Sequence, residues 1–581
     1  MKMKRLFKNV QSMVDKRGLI LSLILLVSSF LRVWSLDLVP VSLFGDEIDV
    51  GYHAYSILKT GKDYSGNFLP IHFESLAEHR TAFFPYSAVP TVALFGISAW
   101  GVRLPVAIFG VLGILAFYLL VKEITKNEKL GLLGAVLLGI SPWHIHFSRV
   151  GFDGPQMLFL FTIGIYFLLT SLRGKNTLWL SAIFLALTPW AYNTAKLFLP
   201  LTILAILIIW RNELMKIPRS RLLTAIIVFT IISLPFALST LFGGGSERFQ
   251  GISIFNDPTV VPQMGFDRQN DLKVRGSSSF LPSIADKLFH NKLTAYSKIF
   301  TDNYFQSFST QFFFIKGDAL NPRQSSGFEF FKIQSIFMIV GLVFLIISQL
   351  DKKVKVFIIF WVLAAPIPSA LTQGGGDHAT RLILMLPVLV IFITFGIYYI
   401  YFKVNRKFKI FYILIVLISL LLSFIFYQHD YWVHYPWKSE RWWHAGYKEA
   451  VTSAVRKGAD YERVIISSAD EPSLIFFLGW SMYPPEIFQY EYSSYLSKNK
   501  NANSTLNLGK YIFPPIGQGI NLYEMGSKLP ENTLYLATAK EINLNLIKEP
   551  GRVPSDILLI DAISYPSGEP AFYLFAKNEK N

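Results

Sequence analysis

Residues 382–402, LILMLPVLVIFITFGIYYIYF, run without a charged side chain from Arg381 to Lys403. A helix rises about 1.5 Å per residue, so this stretch alone is long enough to cross about 30 Å of hydrocarbon. Working outward, similar apolar runs recur at Phe408–Tyr427, Val354–Leu371 and Ile333–Leu350. Nearer the N-terminus they recur at Leu222–Phe242, Leu197–Trp210, Thr177–Ala191, Pro155–Leu172, Leu130–Pro142, Leu104–Val121 and Leu19–Leu36. The first follows a basic tail. WSLDLVPVSLFGDE after it is a poor cleavage site, so an uncleaved span is expected. About eleven transmembrane helices are predicted.

Composition agrees. Hydrophobic residues make up 52% and charged residues 16%, too little charge to cover a soluble chain of this size. In a soluble protein a net charge of +16 would point to nucleic acid. Here Lys and Arg lie in short runs between the spans, so no nucleic-acid partner is expected. Without cysteine, disulfides and thiolate metal sites are excluded.

The basic residues also orient the chain. KEITKNEK, RGKN, RNELMKIPRSR, DKKVK and KVNRKFK alternate with turns 143–154, 192–196 and 372–381, which carry only Arg149, Lys196 and Arg381. The positive-inside rule then puts the N-terminus in the cytoplasm of a multi-pass plasma-membrane protein. Residues 37–103, 243–332 and 428–581 fall outside. The expected domains are a transmembrane domain, 1–427, with 37–103 and 243–332 as large outer loops, and an extracytoplasmic domain, 428–581. In the latter, helix-like Gly446–Lys457 precedes the apolar runs RVIISSA, TLYLATA and DILLIDA, which predicts an α/β fold.

Four outer turns carry chemistry. Gly45-Asp46-Glu47 opens the first loop, followed by Asp49, Tyr52 and His53. PWHIHFSRVGFDG (142–154) supplies Arg149 and Asp153, and YNTAK (192–196) supplies Lys196. GGGDHATR (374–381) supplies His378 and Arg381. For each the bland alternative is a solvated loop, an interfacial anchor or a helix cap. A transporter, or a flippase for lipid-linked oligosaccharides, is the rival reading. It would place ionisable groups nearer the midplane, whereas these spans are almost free of charge. A scaffold or receptor worked by the outer domain is a further rival.

The Asp46-Glu47 loop start, PWHIHFSRVGFDG, YNTAKLFLP (192–200), DHATRLILMLP (377–387) and WHAGYKEA (443–450) resemble the GT-C-type membrane glycosyltransferases. The likeness is to family 39-like enzymes related to protein O-mannosyltransferases and aminoarabinose transferases. It implies transfer of a hexose or pentose from a polyprenyl-phosphate donor to a protein, lipid or glycan acceptor at the extracytoplasmic face. By the same likeness Asp46 is the general base, and Glu47 and Asp153 are acidic residues orienting acceptor, donor or cation. Arg149, Lys196, His378 and Arg381 are candidates for the donor phosphate, and Tyr52, His53, Glu78 and Arg80 for substrate. One base opposite the leaving group, with no carboxylate nucleophile, predicts inversion. No cofactor is required. Asp46 and Asp153, with Glu47, offer hard oxygen ligands to a divalent metal, though no spacing demands one. The first loop has Glu74-Ser75-Leu76-Ala77-Glu78-His79-Arg80 where the family often carries a Lys-Pro-Pro-like stretch, which leaves the sugar open.

Overall fold

The computed structural model describes residues 16–76, 79–275, 287–319, 321–323, 326–498 and 504–578. Glu78 lies outside them. Each of the eleven apolar stretches carries a helix. Among the described residues six helices are long and apolar enough to cross a membrane: Ala99–Thr125, Gly154–Leu172, Arg219–Phe242, Lys352–Ala370, Ala379–Lys403 and Arg406–Ser439. Leu178–Ala191, Ala195–Ile209 and Gln334–Ile347 are apolar but shorter. Phe83–Phe95 is a further short apolar helix inside the first loop, which the sequence reading had treated only as loop.

The chain divides into two compact units. The first holds residues 1–32, 107–148 and 152–427. Its helices pack through small residues, as expected where lipid supplies no hydrophobic drive between helices. A Cβ on Gly341 would lie 1.7 Å from the Phe392 carbonyl oxygen, and one on Gly396 would lie 1.9 Å from that of Phe337. Gln334–Ile347 and Leu386–Lys403 therefore touch backbone to backbone. Arg32 is buried here and donates to the carbonyls of Ser28 and Gly139, so its charge is solvated by peptide groups. Arg219–Phe242 and Arg406–Ser439 are only 11% and 17% buried, and their exposed apolar faces suit contact with lipid tails.

The second unit holds residues 33–106, 149–151 and 428–581, so the first loop groups with the C-terminal part. Within the first loop, β1 (His72–Glu74) pairs antiparallel with β2 (His79–Thr81). The C-terminal part builds a six-stranded sheet from β3 (Arg463–Ile466), β4 (Leu506–Leu508), β5 (Tyr511–Phe513), β6 (Thr533–Thr538), β7 (Ile557–Ser564) and β8 (Pro570–Lys577). The order is β4-β5-β3-β6-β8-β7, with β3 parallel to both β5 and β6 and the other pairings antiparallel. Side chains alternate across a strand. Leu534, Leu536, Phe572 and Leu574 face a core shared with Leu43, Ile48, Tyr52 and Val102 of the first loop. Tyr535, Ala537, Tyr573 and Phe575 face a smaller core built on Leu522, Met525 and Ile557. The helix Tyr447–Lys457 lies on the first of these faces through Tyr447, Ala450, Val451 and Ala454.

Candidate active site

Asp46 and Glu47 open the helix Gly45–Thr60, where the helix dipole favours negative charge. Consecutive helical residues point about 100° apart, and the two carboxylates meet opposite surroundings. Glu47 is fully buried. Its Oε1 accepts from Arg103 Nε at 2.7 Å and from the Gly151 backbone nitrogen at 2.6 Å. Its Oε2 accepts from Arg103 Nη2 at 2.9 Å and from the Phe44 nitrogen at 3.2 Å. Arg103 is buried too, and also donates to the carbonyls of Leu36, Pro40 and Ser42. A Cβ on Gly151 would come within 2.8 Å of Glu47 Cγ, so glycine is what lets that backbone nitrogen reach the carboxylate.

Asp46 is 44% exposed at its side chain, and its Oδ1 accepts from Arg80 Nη2 at 2.6 Å. Arg80, on β2, also pairs through Nε with Asp49. Asp49 in turn accepts from the hydroxyls of Tyr64 at 2.6 Å and Ser75 at 2.7 Å. His53 stacks on Tyr64 with ring centroids 4.0 Å apart, and its Nε2 lies 3.0 Å from Ser75 Oγ. Burial pulls the His53 imidazole down to about 4, so it is neutral at pH 7. Tyr52 is buried and donates its hydroxyl to the Tyr483 carbonyl at 3.0 Å. Tyr52 and His53 have no surface with which to touch a substrate; they hold the Asp49–Arg80 network that orients Asp46.

Arg149 is also buried. Its guanidinium donates to the carbonyls of Trp34 at 2.9 Å, Ser35 at 3.1 Å and Val39 at 2.9 Å, and lies 4.5 Å from the Trp432 ring centroid. Those bonds tie down the chain entering the first loop. Arg149 is not among the residues that line the cavity of Lys196 and Arg381.

In the other unit, two of the four residues considered for the donor phosphate, Lys196 and Arg381, line one cavity of about 270 Å³ together with Arg248. Tyr192, Asn193 and Thr372 add polar groups to its wall. Lys196 Nζ donates to the Gly245 carbonyl at 2.7 Å, and Arg381 Nη1 donates to Thr372 Oγ1 at 2.6 Å and to the Gln373 carbonyl at 3.1 Å. A second cavity, about 550 Å³, shares Lys196 and Thr240 with the first. It is otherwise lined by apolar residues such as Leu199, Leu204, Leu207, Phe229 and Phe236. A cationic head pocket thus continues into an apolar groove. His378 is not among the lining residues of either cavity. Burial, with Arg381 and Arg248 nearby, holds it well below the usual imidazole range. Asp153 precedes the helix Gly154–Leu172 without a side-chain capping bond. Asp318 was not foreseen: its Oδ2 accepts from the Ala379 nitrogen at 3.1 Å, and burial raises its carboxyl to about 6. Among the described residues no group of three or more His, Asp or Glu side chains could hold a metal.

Residues 79–237, less than half of the chain, match the family model of dolichyl-phosphate-mannose-protein mannosyltransferase. That segment contains Arg80, Arg103, Arg149, Asp153 and Lys196. No curated protein matches the chain by sequence. Among solved structures, ArnT from Cupriavidus metallidurans bound to undecaprenyl phosphate is similar at 10% identity and a TM-score of 0.51. The match covers 96% of this chain and 97% of that one. The Archaeoglobus fulgidus oligosaccharyltransferase tethered with an acceptor peptide is similar at 13% identity and a TM-score of 0.50, over 97% of this chain and 74% of that one. The same enzyme, AglB, in complex with an inhibitory peptide and a dolichol-phosphate has a TM-score of 0.49 at 14% identity, over 80% of this chain. In that match the chain spans 63% of the length of AglB. Residues 79–237 thus match a family of protein mannosyltransferases in sequence, and the fold of the chain is similar to that of ArnT over nearly its whole length.

Proposed function

We propose that the chain transfers a hexose or pentose from a polyprenyl-phosphate carrier to an acceptor hydroxyl at the extracytoplasmic face of the plasma membrane, with inversion at the anomeric carbon. The observation that carries this reading is the pocket of Lys196, Arg248 and Arg381 opening into an apolar groove. A polyprenyl phosphate has that pattern, an anion on an isoprenoid tail. In the reaction the bond from the anomeric carbon to the phosphate oxygen breaks, and the phosphate leaves with one more negative charge. Arg248 and Arg381, with Lys196 beside them as a further hydrogen-bond donor, stabilise the charge that develops there, the more so in a water-poor site.

The acceptor oxygen attacks the anomeric carbon from the opposite side, and its proton goes to the Asp46 carboxylate. Arg80 pairs with that carboxylate and fixes its position. Glu47, enclosed by Arg103 and Gly151, positions the helix start rather than touching substrate. Asp153 remains a candidate for orienting acceptor or donor. No step needs a metal.

The test is transfer from radiolabelled polyprenyl-phosphate sugars by the purified chain, with protein, lipid and glycan acceptors. A general base contributes about 10²–10⁴ in rate, so Asp46→Asn should lose that factor in kcat. Arg248→Ala and Arg381→Ala should raise the KM for the donor. If no donor gives product while labelled lipid crosses vesicle membranes, the reading fails in favour of a flippase.

A further inference from the structure

The C-terminal sheet contains a cleft that none of this chemistry uses. Its volume is about 480 Å³, and it lies where β3 and β6 end: Asp470 and Glu471 follow β3, and Thr538 and Lys540 close β6. These strands are parallel neighbours, and the chain leaves β3 first toward β5 on one side, then returns to β6 on the other. Connections that diverge in this way open a crevice at the carboxyl ends of the strands, where open α/β sheets bind ligands.

The lining is organised in advance. Asp470 accepts from Thr538 Oγ1 and pairs with Lys540 at 2.9 Å. Glu569 pairs with Lys548 at 3.1 Å, and His444 pairs with Glu471. Arg441 covers one face of Tyr565 at 5.6 Å from the ring centroid. His444 adopts a left-handed backbone conformation, φ 50°, and its Nδ1 is buried without a hydrogen-bond partner. A strained residue with an unsatisfied polar atom on a cleft wall is a mark of a ligand site.

The chemistry selects the ligand. Asp470, Glu471 and Glu569 outnumber Arg441 and Lys540, which disfavours phosphate. The polar walls offer little to an apolar peptide. Planar carboxylates, a guanidinium and the amides of Asn543 and Asn545 suit adjacent hydroxyls, and the ring of Tyr565 suits the C–H face of a pyranose. We propose that this cleft binds a neutral saccharide.

The site also touches the Asp46 helix. Phe476 stacks on Tyr447 at 4.0 Å between centroids and meets His444 edge-on at 4.9 Å. Its ring tip lies 3.7 Å from where a Cβ on Gly45 would stand. The proposal does not depend on the transfer reading, because binding requires neither Asp46 nor a donor.

The experiment uses the full chain in detergent, with maltotriose, mannotriose and chitotriose at millimolar concentration and inorganic phosphate as the anionic comparison. Hydrogen exchange is followed over 467–473 and 538–545. At least one trisaccharide should protect both segments, and phosphate should not. Tyr565→Ala and Glu471→Gln should each weaken binding about tenfold, the loss of one good contact, while Asp46→Asn leaves it unchanged. Glu569→Gln, at an exposed position on the opposite wall, serves in place of either variant that fails to fold. Protection by phosphate alone, protection by no trisaccharide, or protection that survives every cleft variant would overturn the proposal.

Discussion

Asp46 and Glu47 sit side by side in sequence and differ in almost everything else. One is nearly half exposed and pairs with Arg80, and the other is sealed behind four donors. Their substitutions should therefore separate. Glu47→Gln removes the charge facing buried Arg103, and breaking a buried pair costs about 3–5 kcal/mol. The unfolding temperature of Glu47→Gln should drop clearly in detergent, while that of Asp46→Asn stays near wild type with transfer lost. If Glu47→Gln were as stable as wild type, the buried pair would not be what fixes the helix start. This distinction was invisible in the sequence, where both read as acids at a loop start. Arg149 and Arg381 were likewise indistinguishable, because nothing in a short turn tells an arginine enclosed among backbone carbonyls from one that lines a cavity. Arg248 escaped notice because it follows a glycine run that reads as plain loop.

At the level of elements, apolar length and charge placement made all eleven helical stretches legible, as did the β3, β6 and β7 runs. The exceptions have physical causes. Phe83–Phe95 is short and broken by proline, so its pattern resembles a loop with aromatic residues. β4 and β5 are three residues each, too short to show a period. The close crossing of Gln334–Ile347 with Leu386–Lys403 could be read only as two glycines on separate helices. It now carries a prediction. Gly341→Val would drive a side chain into the Phe392 carbonyl, and overpacking of this kind costs about 1–3 kcal/mol or more. Thermal inactivation should shift down accordingly. Gly18→Ala, where nothing lies within 4 Å, should be neutral or slightly stabilising. Equal behaviour of the two variants would mean that the crossing is looser than described.

At the scale of the molecule, the second unit is assembled from three separated segments. The sequence reading kept 37–103 with the spans and 428–581 apart, because neither stretch alone shows that its apolar residues need the other. Ending the chain at Tyr427 would uncover Ile48, Tyr52 and Val102 together. Such a chain should have its first loop cut rapidly by protease and show no transfer; a protected loop would mean that it folds unaided. The Tyr52 hydroxyl bonds a carbonyl 431 positions later. During synthesis, the loop bearing Asp46 therefore leaves the ribosome long before its packing partners exist. It must wait, tethered and incomplete, until the strands that complete its core, β6 and β8 among them, have been made. High contact order of this kind slows folding, and here it also acts as a timer. The loop that carries Asp46 finds its full core only once β6 and β8 exist, so a product stalled before them would carry the spans without that support.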